Sequence, residues 1–128
     1  MVGGMLVKQL GELSILIVDD NEINLMLMCD LLEALGVINI KTVNSGFKAV
    51  EEIKQCQMYD FIMMDICMPK LDGYQTTEQI RQLGYEGRVI ALTAYELTKA
   101  DPAYLGAQMD GIILKPIDLL ELQQMLMS

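Results

Sequence analysis

The sequence predicts an α/β fold: a five-stranded parallel sheet in the order 2-1-3-4-5, with helices on both faces. Two observations carry this. Short apolar runs recur along the chain, each too short for a helix, and a stretch with helical apolar spacing follows each one. Alternation of this kind implies parallel strands joined by right-handed crossovers, and 2-1-3-4-5 is one of the two common orders for such a sheet.

The runs Ser14–Val18, Phe61–Met64, Val89–Leu92 and Gly111–Leu114 read as strands buried on both faces. Asn39–Val43 carries Lys41 and Thr42 between Ile40 and Val43, which suits an edge strand. Ile23, Leu27, Leu31, Ala34 and Leu35 are expected to form the buried stripe of the first helix, with Gly36 ending it. Ala49, Val50, Ile53 and Cys56 form the second stripe, capped by Ser45. Thr77, Ile80 and Leu83 form the third, closed by Gly84; Leu119, Leu122 and Leu126 form the last, with Asp118 and Glu121 spaced as a capping box. The fourth helix is expected to be short and poorly held. Asp101-Pro102 reads as its N-cap and first position, Gly106 lies inside it, no Gly closes it, and a long loop from Tyr95 to Ala100 precedes it.

A chain of 128 residues with 52% apolar residues points to one globular domain with a single core. Residues 1–13 read as a leader or vector-derived segment, with Met5 a candidate start, and residues 14–128 as the folded domain. The net charge of -9 repels nucleic-acid backbones and anionic lipid, so direct contact with either is not expected. The absence of His excludes a His metal site, a His-based triad and a phosphohistidine within this chain. Cys29, Cys56 and Cys67 form no CxxC pair, which argues against a disulfide framework or zinc site and for a reducing cytoplasm. No apolar run approaches the roughly 20 residues needed to span a bilayer, and the eleven Met residues read as core filler.

In an open parallel sheet, ligands bind beyond the carboxyl ends of the strands. Collecting the residues there brings together Asp19-Asp20, Asp65, Thr93 and Lys115-Pro116. Three adjacent carboxylates cannot all stay ionised beside one lysine. A hard divalent cation resolves the conflict, and Mg²⁺ suits oxygen ligands while keeping several waters. Metal and lysine would then neutralise a phosphoryl group while an Asp carboxylate serves as nucleophile. Singly, each motif has a plainer reading: Asp19-Asp20-Asn21 as a turn with a helix cap, Met68-Pro69 and Asp72-Gly73 as loop punctuation, Lys115-Pro116 as a surface lysine before a helix. The plain readings leave the joint placement at four strand ends unexplained.

From Ser14 to Met127 the chain resembles the receiver (response-regulator) family. The likeness rests on Ile15-Leu16-Ile17-Val18-Asp19-Asp20-Asn21, Met64-Asp65-Ile66-Cys67-Met68-Pro69 with Asp72-Gly73, Ala91-Leu92-Thr93-Ala94, and Lys115-Pro116-Ile117. The Asp65 and Lys115 segments, together with Asn21-Glu22-Ile23-Asn24, are most similar to receivers of hybrid sensor histidine kinases. The resemblance implies a flavodoxin-like fold with Asp65 as phosphoacceptor. It implies Mg²⁺ held by Asp20, Asp65 and the backbone carbonyl of Cys67, with Asp19 acting through water. Lys115 and Thr93 are implied as phosphoryl-binding and switch residues, and a cis peptide before Pro116. The implied donor is a histidine kinase or histidine phosphotransfer domain. Partner docking, or a dimer if one forms, is implied at the surface of helix four, strand five and helix five, near Tyr95, Tyr104 and Ile112.

The chain departs from the pattern at Ile112, where many members carry Tyr or Phe, and at Gln108, where many carry Gly. These departures keep open an alternative, a non-phosphorylated interaction module of the same fold. A phosphatase acting on outside substrates needs a second acid near the nucleophile, and Cys67 cannot be one.

Overall fold

The computed structural model describes residues 8–94 and 101–128. The expectations for Tyr95, for the loop to Ala100 and for a start at Met5 fall outside these residues. The elements alternate as β1 (Ser14–Val18), α1 (Glu22–Ala34), β2 (Asn39–Val43), α2 (Gly46–Gln55), β3 (Phe61–Asp65), α3 (Gly73–Gln82), β4 (Arg88–Thr93), α4 (Pro102–Ala107), β5 (Gly111–Leu114) and α5 (Leu119–Leu126). All strands pair in parallel, in the order β2-β1-β3-β4-β5.

Side chains of a strand alternate between faces, so each central strand feeds two cores. Leu16, Val18, Ile62, Met64, Val89 and Ala91 pack against α2, α3 and α4. Ile15, Ile17, Phe61, Met63, Ile90, Leu92 and Ile113 pack against α1 and α5. Burying one such side chain is worth about 1.5–3 kcal/mol, which is why β1, β3 and β4 lie at the centre. Ahead of β1, Leu10–Glu12 form a 3-10 turn, and Leu10 and Leu13 pack on the second core.

Ser45, Asp72, Asp101 and Asp118 cap their helices by accepting from the amides of Lys48, Gln75, Ala103 and Glu121. Gly36 and Gly84 follow α1 and α3 with φ of 97° and 91°, the left-handed conformation that glycine adopts without a Cβ clash.

Three expectations need correction. The buried stripe of α1 is Leu25, Met28 and Leu32, while Ile23 and Leu27 are 66% and 56% exposed. The helix also carries Met26, Leu31 and Leu35, so apolar residues cover most of its circumference and periodicity alone cannot choose the docked side. Leu83 and Leu119 likewise lie exposed beside their helices' cores. Tyr104, expected on a partner surface, is 4% exposed and packs in the first core, because α4 turns Tyr104 and Ala107 inward and Leu105 outward.

Candidate functional site

β3 and β4 each run one residue further than their apolar runs, so Asp65 and Thr93 are the last residues of adjacent strands. Register fixes their neighbours: Asp65 pairs with Leu92, and Thr93 pairs with Leu114, the residue before Lys115. The amide of Lys115 donates to the Thr93 carbonyl at 2.7 Å, which anchors the loop that carries the lysine. The Lys115–Pro116 peptide is cis.

Lys115 Nζ lies 3.3 Å from Asp65 Oδ1 and 3.4 Å from Asp19 Oδ2. Asp19 also accepts from the Asn21 amide at 2.9 Å through Oδ1. Carboxylate oxygens of Asp19, Asp20 and Asp65 all lie within 4.8 Å of one another. Asp19, Asp65 and Thr93 are buried; Asp20 and Cys67 face solvent. Asp19, Asp20, Asp65 and Lys115, from three strand ends, therefore meet at one place, open on the side of Asp20 and Cys67, and Thr93 ends the strand beside Asp65. Ile112 does not belong to this group. It is half-buried and packs on the first core.

Burial, reinforced by the charge of Asp19, raises the Asp65 carboxyl above the usual carboxylate range, against the opposing pull of Lys115 and of the nearby Cys67 amide. Burial alone would lower the Lys115 ammonium; the carboxylates of Asp65 and Asp19 outweigh it and raise the group instead. Asp65 is thus uncomfortable as an anion, although an ammonium touches it. Three carboxylates facing one lysine leave two negative charges uncompensated, the charge of one divalent cation. The donor set is all oxygen, which suits magnesium rather than a soft metal.

Residues 15–127 match the family described as the response regulator receiver domain. The chain belongs to that family. Among similar proteins, the sensor histidine kinase GacS of Pseudomonas protegens is 38% identical over 119 residues, covering 89% of this chain and 13% of that protein. The sensor histidine kinase RcsC of Salmonella typhi is 37% identical, covering 90% and 12%, and the histidine-protein kinase BarA of Escherichia coli is 40% identical, covering 83% and 12%. The chain thus spans about an eighth of the length of these curated relatives. Among solved structures, the receiver domain of sensor histidine kinase PA1611 from Pseudomonas aeruginosa, described with a magnesium ion coordinated in the active site cleft, superposes with a TM-score of 0.78. It is 36% identical and covers 89% of this chain and 93% of that one. The receiver domain of the histidine kinase CKI1 from Arabidopsis thaliana shares the fold, with a TM-score of 0.81 at 24% identity, covering 90% and 91%.

Within this receiver, two residues take on packing roles that the sequence reading does not assign. Asp72-Gly73 belongs to the family likeness and reads singly as loop punctuation, and Gly73 is buried against the backbone that bears Asp65. Arg81 carries no sequence signal, because its partners, the carbonyls of Tyr85, Gly87 and Gln108 and the carboxylate of Asp110, are brought to it by the fold and not by side-chain spacing.

Proposed function

We propose that this receiver accepts a phosphoryl group from a partner's phosphohistidine onto Asp65, with magnesium held by Asp20, Asp65 and the Cys67 carbonyl and, through water, by Asp19. The observation that carries the reading is the contact of Lys115 with both Asp19 and Asp65 inside a three-carboxylate cluster that lacks two positive charges. The similar receiver of PA1611, described with a coordinated magnesium ion, supports the choice of metal.

In the transfer, an Asp65 oxygen attacks phosphorus, an O–P bond forms, the P–N bond to imidazole breaks, and the nitrogen keeps the electron pair. Magnesium would supply charge neutralisation for the phosphoryl oxygens. Lys115 neutralises a further oxygen and releases its hold on the carboxylate as it does so. Burial of Asp65 limits its hydration, so the nucleophile meets the donor with little water to shed. Thr93, at the neighbouring strand end, would bond the new phosphoryl group, and that bond would bias α4 and β5 between two arrangements. The donor is a histidine kinase or histidine phosphotransfer domain, and the receiver works in the cytoplasm as one segment of a longer hybrid kinase. The acid pair, nucleophile, threonine and lysine together favour this reading over a non-phosphorylated interaction module.

Incubation with magnesium and acetyl phosphate tests it. One phosphoryl group should appear in the intact mass, fail to appear when magnesium is chelated beforehand, and be absent in Asp65→Asn. No mass gain, or an equal gain in Asp65→Asn, would reject the reading.

A further inference from the structure

We infer that Gly73 is a positioning residue for the nucleophile: its missing side chain lets α3 seat directly on the peptide unit that carries Asp65. This rests on the function proposed above and extends it to the backbone behind the site.

A Cβ at Gly73 would lie 2.4 Å from the Asp65 carbonyl oxygen, 2.8 Å from Ile66 Cα and 3.1 Å from the Asp65 carbonyl carbon. All three are backbone atoms, which cannot swing aside as a side-chain end can. They are also held from behind. Asp65 pairs with Leu92 in the sheet, and the Ile66 amide donates to the Leu92 carbonyl at 3.1 Å. The glycine is pinned equally well from its own side. Its amide donates to the Ile66 carbonyl at 3.0 Å, its carbonyl accepts from the Thr77 hydroxyl at 2.8 Å, and its neighbour Asp72 caps α3 in a reciprocal capping box with Gln75. The need is one of space and not of dihedral freedom, since Gly73 is not among the positive-φ glycines.

One methyl group must therefore part α3 from the end of β3. Between those two elements runs the loop that contains Cys67, whose amide lies near the Asp65 carboxylate and favours its charged form. Any parting shifts the Asp65 carboxylate relative to Asp19, Asp20 and Lys115, which stand on other elements. Misplacement of a reacting group by about 1 Å costs on the order of 10²-fold in rate, and disturbing the groups that orient a metal ligand costs about 10–100-fold in affinity.

The test compares Gly73→Ala with Gly87→Ala. Gly87 is crowded too, by the end of the Tyr85 ring and by the Tyr59 carbonyl at 2.8 Å from its Cβ position, but it precedes β4 at the opposite end of the sheet. Magnesium affinity is read by amide-shift titration with the metal alone, and phosphorylation by acetyl phosphate at saturating magnesium. Gly73→Ala should lose about 10-fold or more in both and move the Cys67 amide resonance. Gly87→Ala should lose thermal stability yet keep wild-type affinity and rate. If Gly73→Ala does not fold alone, it is read in the Gly106→Ala background, where the added methyl meets nothing within 4 Å. Affinity and rate within about twofold of wild type would overturn the inference, as would failure to fold in both backgrounds, which would make Gly73 a folding residue only. Wild-type protein that neither binds magnesium nor gains a phosphoryl group would instead sink the proposed function.

Discussion

Arg81 closes the fourth helix from the end of the third: its Nε and Nη2 donate to the Gln108 carbonyl at 3.0 and 2.9 Å. Gln108 is the C-cap of α4 and sits in the left-handed region, with φ 61° and ψ 51°. The same guanidinium donates through Nη1 to the carbonyls of Tyr85 and Gly87, and through Nη2 to Asp110 at 2.7 Å. Asp110 in turn accepts from the Val89 amide. One side chain, 12% exposed, thus ties together the end of α3, the entry to β4 and the turn from α4 into β5.

Loss of that tie is predicted to be costly. Hydrogen bonds to charged groups contribute about 1.5–3 kcal/mol each and are not additive. Arg81→Met should lower stability in urea by about 3 kcal/mol or more. Arg81→Lys should recover less than half, because an ammonium cannot reproduce the planar fork. A loss in Arg81→Met below about 1 kcal/mol would show that water replaces the guanidinium at little cost.

The fourth helix itself should be easy to strengthen. Gly106 lies in its interior with open space around its Cβ position, so Gly106→Ala should add about 0.5–1 kcal/mol. Gln108→Gly should add about 1 kcal/mol by relieving the left-handed backbone, and its carbonyl remains available to Arg81. Urea midpoints and amide exchange in α4 measure both. Destabilisation by either change would mean that the helix end is shaped by contacts other than its backbone conformation.

These two changes bear on what could be read from sequence. The strands, their order and the convergence of Asp19, Asp20, Asp65 and Lys115 were legible, because apolar runs and strand ends are local signals and parallel topology has few solutions. The docked side of α1 was not. Ile23 and Leu27 offer the same helical spacing as Leu25, Met28 and Leu32, and only the sheet decides between them. Tyr104 was misplaced for a similar reason, since a six-residue helix offers too few turns to define a face. The packing roles of Gly73 and Arg81 were illegible for another reason: each acts on backbone atoms of a different element, which side-chain patterns do not report.

The site should make magnesium's effect on stability depend on pH. The carboxyl of Asp65 is raised in the folded protein, mainly by burial and then by Asp19. A raised carboxyl contributes stability that is fully present below its unfolded value and is lost as pH rises through the folded value. Without metal, the fold should therefore weaken from the ordinary carboxylate range upward. A cation that binds the ionised cluster removes this loss and adds its own binding energy. The rise in Tm on adding magnesium should be small near pH 4 and larger at pH 7. A rise that is flat or shrinks over that interval would mean that Asp65 is not the group being discharged.

Lys115 should separate metal binding from phosphoryl transfer. In the metal-free site its ammonium already compensates Asp65 and Asp19, at 3.3 and 3.4 Å, and so competes with a cation for the same charge. Lys115→Met keeps the length of the chain but removes the competitor. Magnesium affinity should hold or rise, whereas loss of a charge partner for the phosphoryl group should slow phosphorylation by acetyl phosphate by about 10-fold or more. Metal-free Lys115→Met should also be less stable, since two buried carboxylates then face each other uncompensated, and magnesium should restore more stability to it than to wild type. Isothermal titration, intact-mass kinetics and thermal melts read the three effects. If affinity and rate fell together, Lys115 would be acting as a support for the carboxylates, and the division of labour between the metal and the lysine would have to be redrawn.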